Sequence, residues 1–457
     1  MRVRTCAPGL PVRASLERVR ASEEERFATR TPRSRALLER SRQSMPAGVP
    51  MAWMAGLYRH HPIFAARGEG ACFEDIDGNR YLDMNLADLA GSLGFAPPAV
   101  VAAVRRRAEA GTAFLLPTED GVVASELLAA RTGIPYWQYT GSASASNTEA
   151  IRIARLATGR DRILLFAGKY HGHIDEGLVQ GEHGQVSPEG LGLPSYVTRA
   201  AELVPFNDLD ALERALRTRS FACLLAEPML TNCNIVFPDD GFWRAATRLL
   251  RDTGTLLIID EAHTHSFAYG GLTRAWGLTP DMLVLGKGLG SGIAFGAYGL
   301  NAELAALAIR HLDGSVAGAT GLAVGGTTYG NALALAAARA ALEHHLTPEA
   351  YTHAEECGTR LGRGLEALFA AHGRDWRAPS IGGRSAWVLF PQLPRNAEES
   401  VRSLDRAFVD TRRLFMANRG VWEAIWSAGP AASFAHTADD VDRYLAVADE
   451  FLTALRD

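Results

Sequence analysis

Lysine is almost absent from this chain: only Lys169 and Lys287 occur in 457 residues, and the rest of the 47 lysine-plus-arginine positions are arginine. Arginine stays protonated and cannot form an imine, whereas a lysine amine can lose its proton and attack a carbonyl. A lysine kept against such a bias is a candidate for chemistry that a guanidinium cannot do. Other scarcities exclude whole classes of function. Apolar runs long enough to span a bilayer are missing, and the first residues carry no apolar signal-peptide core, so no membrane or secreted role is expected. The five cysteines (Cys6, Cys72, Cys223, Cys233, Cys357) are scattered without paired metal spacing. That pattern fits a reducing, cytoplasmic compartment and no metal site. Surplus positive charge is missing as well: a net charge of −4 argues against a nucleic-acid role carried by bulk electrostatics. The arginine-rich start (Arg2, Arg4, Arg13, Arg18, Arg20, Arg26, Arg30) is interleaved with Glu17 and Glu23 to Glu25, and reads as a solvated helical segment.

What is present suggests an α/β enzyme in two lobes. The length exceeds what one core usually supports. Short, uniformly apolar runs at Ile163–Phe166, Cys223–Ala226, Leu256–Ile259 and Met282–Leu285 alternate with amphipathic stretches such as Leu209–Leu216 and Phe242–Arg251. Strands of that kind, separated by helices, predict a mostly parallel sheet covered on both faces, with ligands at the carboxyl ends of the strands. Gly70 to Asp83 has an Asp-Gly turn between alternating residues and reads as a hairpin of a smaller lobe. The alanine-rich stretch from Asn331 to Leu342 is expected to be a helix bridging back to that lobe. The expected division is 1–85 for the N-terminal segment and part of the small domain, 86–330 for the large domain, and 331–457 for the rest of the small domain with its bridging helix.

Lys287 sits where an apolar strand runs into a glycine-rich turn, Asp281-Met-Leu-Val-Leu-Gly-Lys-Gly-Leu-Gly-Ser-Gly292. Asp260 ends the preceding strand, where a carboxylate is costly unless it meets a cation or a donor. An aldehyde cofactor with a ring nitrogen needs both an imine-forming lysine and an acid that keeps the ring protonated, and pyridoxal 5'-phosphate is that cofactor. Its phosphate needs a cradle of backbone amides and hydroxyls at a helix start. The serine-rich segment Tyr139 to Asn147 offers one. Tyr170, just past another strand, is placed to stack on a flat ring. His171 with His173, and His263 with His265, have no carboxylate or cysteine partner at ligand spacing, so no metal is expected.

Taken together, these stretches resemble the class III aminotransferases of the pyridoxal-phosphate fold type I group, within it the glutamate-1-semialdehyde aminomutase-like branch. The matching segments run in order: Ala66 to Gly70 with Asp77 to Asp83, Tyr170 to His173, Ala226 to Met229, Asp260-Glu261, Thr279 to Lys287, Gly325 to Asn331, and Ala435 to Thr437. The resemblance implies a large domain with a mostly parallel seven-stranded sheet and a smaller α+β domain built from both chain ends. It implies that Lys287 holds the cofactor as an imine, that Asp260 pairs with the ring nitrogen and that Tyr170 covers one ring face, with His171 beside it. His263 takes the place that touches the ring hydroxyl side, and Glu227 that of an active-site glutamate. Thr327 would reach the phosphate of a neighbouring subunit, which makes a homodimer with shared sites the expected assembly.

Three departures from the family pattern bear on binding. An alignment that keeps the following helix in register puts the phosphate loop at Ser142-Ala143-Ser144, with Ala143 in place of the usual glycine. Ala262 replaces the valine that packs under the ring. Where the aminomutase carries a substrate-carboxylate arginine, this chain has Met51-Ala-Trp-Met54. Trp53 and Met54 are then candidates for a hydrophobic substrate pocket, and Arg59 and Arg384 for holding a carboxylate. The expected activity is a ping-pong aminotransferase acting on an amino acid or amine and an oxo acid. The alternative is an aminomutase, epimerase or decarboxylase of the same family.

Overall fold

The computed structural model describes residues 13–182, 185–312 and 321–456. Arg2, Arg4 and Cys6 lie outside them. The chain forms two compact units. The larger comprises Pro98–Tyr351 with Pro394–Glu399, and the smaller Met1–Pro97, Thr352–Leu393 and Ser400–Asp457.

The larger unit is built on a seven-stranded sheet. Its strands are β1 (Tyr136–Thr140), β2 (Arg162–Phe166), β3 (Ala201–Val204), β4 (Phe221–Ala226), β5 (Leu256–Asp260), β6 (Met282–Leu285) and β7 (Gly296–Leu300). Their spatial order is β1-β7-β6-β5-β4-β2-β3. All neighbours are parallel except β7, which runs antiparallel to both β6 and β1. Every residue of β4 and β6 is buried, as a strand with helices on both faces requires. The register sets the site. Ile259 of β5 pairs with Ala226 of β4, and Asp260 pairs with Val284 of β6. Asp260, Glu227 and the turn carrying Lys287 therefore emerge at one edge of the sheet, at the carboxyl ends of three adjacent parallel strands.

The Asn331–Leu342 stretch forms the helix Ala332–His344, with Asn331 as its N-cap accepting from the Ala334 amide. It lies in the larger unit and not as a bridge: its small buried face packs on the helices Pro98–Ala110 and Glu119–Thr132. The chain returns to the smaller unit only at Thr352, within the helix Pro348–Ala371.

The smaller unit joins the two ends of the chain. Strands Ala65–Glu69, Cys72–Asp75 and Arg80–Asp83 form an antiparallel meander, and Val421–Trp422 adds to it in parallel, Val421 opposite Leu82. Its core includes Leu361, Phe369, Trp387, Phe408, Tyr444 and Phe451. The arginine-rich start differs from its sequence reading. Helix Arg13–Arg30 buries Leu16, Val19, Glu23 and Phe27 along one face, and Glu23 accepts from Asn418 and Arg419. Only the opposite face is solvated. Among the described residues no helix is long and apolar enough to cross a membrane.

Candidate active site

The site grows from three strand ends in the larger unit. Asp260, buried at the end of β5, accepts from the side-chain amide of Asn147 at 2.8 Å and from His171 Nδ1 at 2.9 Å on one oxygen. Its other oxygen accepts from the Ala262 amide at 3.0 Å. Burial alone would raise this carboxyl. The hydrogen bond and charge of His171, with Asn147 and the Ala262 amide, outweigh it and hold Asp260 below the usual carboxylate range. Asn147 also donates to the His171 carbonyl at 3.1 Å, which ties the helix to the loop after β2.

Glu227, one residue beyond β4, has the opposite environment. Burial pushes its carboxyl up, against the charges of His263 and His171 and a hydrogen bond from Thr231. Two carboxylates at neighbouring strand ends are thereby driven apart in acidity, a pattern that separates acid from base roles.

Lys287 opens the short turn after β6 with a left-handed backbone, φ 47°. Its Nζ lies 2.7 Å from His263 Nε2, and His263 Nδ1 lies 2.6 Å from the Thr231 hydroxyl. The loop carrying His263 is held by Glu261, whose buried carboxylate accepts from Thr264 and from the Leu272 and Thr273 amides.

The helix Ala143–Thr158 starts beside this cluster. Ser142 is its N-cap, accepting from the Ala145 amide at 3.2 Å. Ala143 is already helical and has no positive φ, so alanine meets no backbone penalty in place of glycine. Ser146 lies inside the helix, buried, on the Thr140 hydroxyl. Ser144 accepts from the His173 amide. Close approach demands glycine nearby: a Cβ on Gly286 would lie 3.0 Å from that of Ala143, and one on Gly172 would lie 2.0 Å from Ser144 Oγ.

The structure thus brings the five expected residues together in two neighbouring hydrogen-bonded groups, Asp260 and His171 with Asn147, and Glu227, His263 and Lys287 with Thr231; Asn147 and Thr231 were not among the expected site residues. Tyr170 is half-buried on the same loop as His171, and Thr327 is exposed on the turn before Asn331. In the smaller unit Trp53 and Met54 are exposed on a short helix, Arg59 pairs with Asp410 at 2.7 Å, and Arg384 is buried with Nε on the Ala428 carbonyl. Both arginines therefore already have acceptors, which a substrate carboxylate would have to displace. Among the described residues no group of three or more histidine, cysteine or acidic side chains could hold a metal ion.

The cluster also leaves three buried polar atoms, Asn147 Oδ1, His171 Nε2 and Glu227 Oε1, without a hydrogen-bond partner among the described residues. Each such atom costs about 1–3 kcal/mol. They belong to residues bonded to the ionised Asp260 or connected to the Lys287 amine, and that set, with the capped helix start, fits a polar ligand with a cationic ring nitrogen, an aldehyde and a phosphate.

Comparison with known proteins agrees. Residues 54–382 match the family model "Aminotransferase class-III". The chain is 36% identical over 369 residues to a glutamate-1-semialdehyde 2,1-aminomutase of Roseiflexus castenholzii, covering 79% of this chain and 83% of that one. A crystal structure of a glutamate-1-semialdehyde aminomutase from Pseudomonas aeruginosa superposes with a TM-score of 0.93 at 33% identity, over 97% of this chain and 99% of that one. An omega-transaminase from Sphaerobacter thermophilus gives 0.85 at 28% identity, over 93% and 98%. With its fold type I sheet and lysine–aspartate strand ends, the chain belongs to the class III aminotransferases, whose cofactor is pyridoxal phosphate.

Proposed function

We propose that this protein shifts an amino group within one small amino compound, as an aminomutase. The observation that carries the amino-group chemistry is the placement of the Lys287 amine and an ionised Asp260 at the ends of adjacent strands. The relatives named as aminomutases, matched over most of their length, favour the intramolecular form.

In this reading Lys287 Nζ would hold the cofactor aldehyde, and Asp260, kept ionised by His171 and Asn147, would serve the ring nitrogen. Ser142 and the first amides of the helix Ala143–Thr158 would take the phosphate, and Tyr170 would cover the ring. Bound pyridoxal phosphate supplies the electron sink for charge left on the substrate carbon. Once the substrate amine has displaced it from the aldehyde, the freed Lys287 Nζ would take the proton from that carbon and later give it up. Two copies of the chain would share their sites through Thr327, which light scattering checks as a dimer mass.

A second reading is transfer between molecules. The apolar Met51-Ala-Trp-Met54, standing where the aminomutase carries an arginine, favours it, as does the likeness to an omega-transaminase. The test is to supply glutamate 1-semialdehyde alone and follow nitrogen from carbon 2 to carbon 1. Turnover without any oxo acid supports the aminomutase. Turnover only of an amine with an added oxo acid, with ping-pong kinetics, replaces it by the transaminase. An absence of any visible absorbance with added cofactor overturns both.

A further inference from the structure

A continuous run of hydrogen bonds leads away from the Lys287 amine. Lys287 Nζ meets His263 Nε2 at 2.7 Å, His263 Nδ1 meets Thr231 Oγ1 at 2.6 Å, and Thr231 Oγ1 meets Glu227 Oε2. His263, Thr231 and Glu227 are all buried.

The polarity of this chain follows from what each group can donate. An ionised carboxylate only accepts, so the Thr231 hydroxyl donates to Glu227. A hydroxyl has one hydrogen, so Thr231 accepts from His263 Nδ1–H. A neutral imidazole has one N–H, so His263 Nε2 accepts from Lys287. With Glu227 protonated, every bond reverses: Glu227 donates to Thr231, Thr231 to Nδ1, and Nε2–H to the lone pair of a neutral Lys287 amine. The two arrangements differ by one proton's worth of charge moved between the ends, with the heavy atoms in place.

We propose that His263, Thr231 and Glu227 form a proton relay that strips the Lys287 ammonium to the neutral amine and later returns its proton. This deepens the reading above and rests on it for the cofactor at Lys287. In the forward direction one N–H bond of Lys287 breaks and forms at His263 Nε2. The Nδ1 proton passes to Thr231 Oγ1, and the Thr231 hydroxyl proton passes to Glu227 Oε2. No electron pair leaves the chain and no co-reactant is needed. Lys287 is the catalytic residue, and Thr231 and Glu227 are positioning residues that act on its proton through His263.

The surroundings suit Glu227 to the receiving end. Burial favours its protonated form. The other titratable or charged groups acting on it are His263, His171, Asp260 and Lys169. Asp260 is held ionised by its own donors and does not compete for the proton. Oε1 of Glu227 has no hydrogen-bond partner among the described residues, so nothing else pins the carboxylate.

The experiment measures covalent capture of added pyridoxal 5'-phosphate by the cofactor-stripped full-length chain, through the growth of visible absorbance between pH 6 and 9. Thr231→Val keeps the shape and deletes the hydroxyl; Glu227→Gln keeps the shape and deletes the proton acceptor. Each should slow capture about tenfold or more at pH 7, converging on the unaltered rate at high pH where solvent takes the proton. Thr231→Ser should restore the original profile. A Thr231→Val protein with the unaltered rate and pH profile overturns the relay. If the buried substitutions prevent folding, a proton inventory of capture by the unaltered chain in mixed H2O and D2O decides instead: a curved plot supports several protons in flight, and a linear one overturns the relay. Lys287→Ala guards the parent reading, because covalent capture that survives this change overturns the assignment of Lys287 itself.

Discussion

The two lysines of the chain share a scarcity and a neighbourhood of strand ends, yet they are held in opposite ways. Lys169 is 6% exposed and its Nζ is spent on two fixed acceptors, the Val179 carbonyl at 2.8 Å and the Glu189 carboxylate at 2.6 Å. Burial lowers its pKa, and Glu189 opposes that. Lys287 is half-buried on a left-handed residue and faces an imidazole. A carboxylate with a carbonyl fixes a proton on an amine, whereas a neutral imidazole can take one away. Rarity names two candidates, and the partner decides which is chemistry and which is architecture.

The comparison breaks most visibly through activity. Lys287→Ala should lower kcat by about 10⁴-fold or more while the fold survives, and Lys169→Met should leave kcat within a few-fold. Circular dichroism and steady-state rates on both variants check this, and the reverse outcome would interchange their roles. Asp260→Asn removes the charge proposed to serve the ring nitrogen and should cost about 10²- to 10³-fold in kcat/KM, with cofactor affinity measured alongside.

A parallel contrast exists between two histidines. His263 has Lys287 and Thr231, whereas neither ring nitrogen of buried His265 has a hydrogen-bond partner among the described residues. Burial, with Arg131 nearby, depresses His265 to about 4. Between pH 6.5 and 4 the unfolded chain therefore binds a proton that the folded chain refuses, so stability falls as pH falls. The loss at pH 5 is about 2 kcal/mol, and His265→Phe should remove that part of the slope in urea titrations. The smallest expected effect is on Lys169: Glu189→Gln, at a partly exposed carboxylate, should cost about 1 kcal/mol of stability without a change in kcat. A cost of zero would mean that Lys169 needs no partner and would narrow the contrast between the lysines.

Much of this was legible in the sequence because burial on both faces makes a strand uniformly apolar. The runs read at Cys223–Ala226 and Met282–Leu285 lie within β4 and β6. Lys287 and Asp260 stood out as charged residues at the ends of such runs. Asn147 did not, because a polar residue inside a helix looks solvated until the fold brings it to Asp260, 113 positions away. Thr231 was equally silent: it meets Glu227 four residues back, but its bond to His263 spans 32 positions. The alanine-rich helix carried no mark of which unit it packs on, since small apolar side chains suit any close-packed neighbour. At the N-terminus the charges hid the spacing of Leu16, Val19 and Phe27, which marks a buried face.

Lys287 occupies a conformation that side chains with a Cβ avoid, at a cost of about 1–2 kcal/mol. Glycine would adopt the same backbone without that strain. Laboratory selection of this chain for heat resistance alone should therefore discard early the amine proposed to carry its chemistry, trading it for glycine. Any thermostabilisation campaign has to score catalysis in every round.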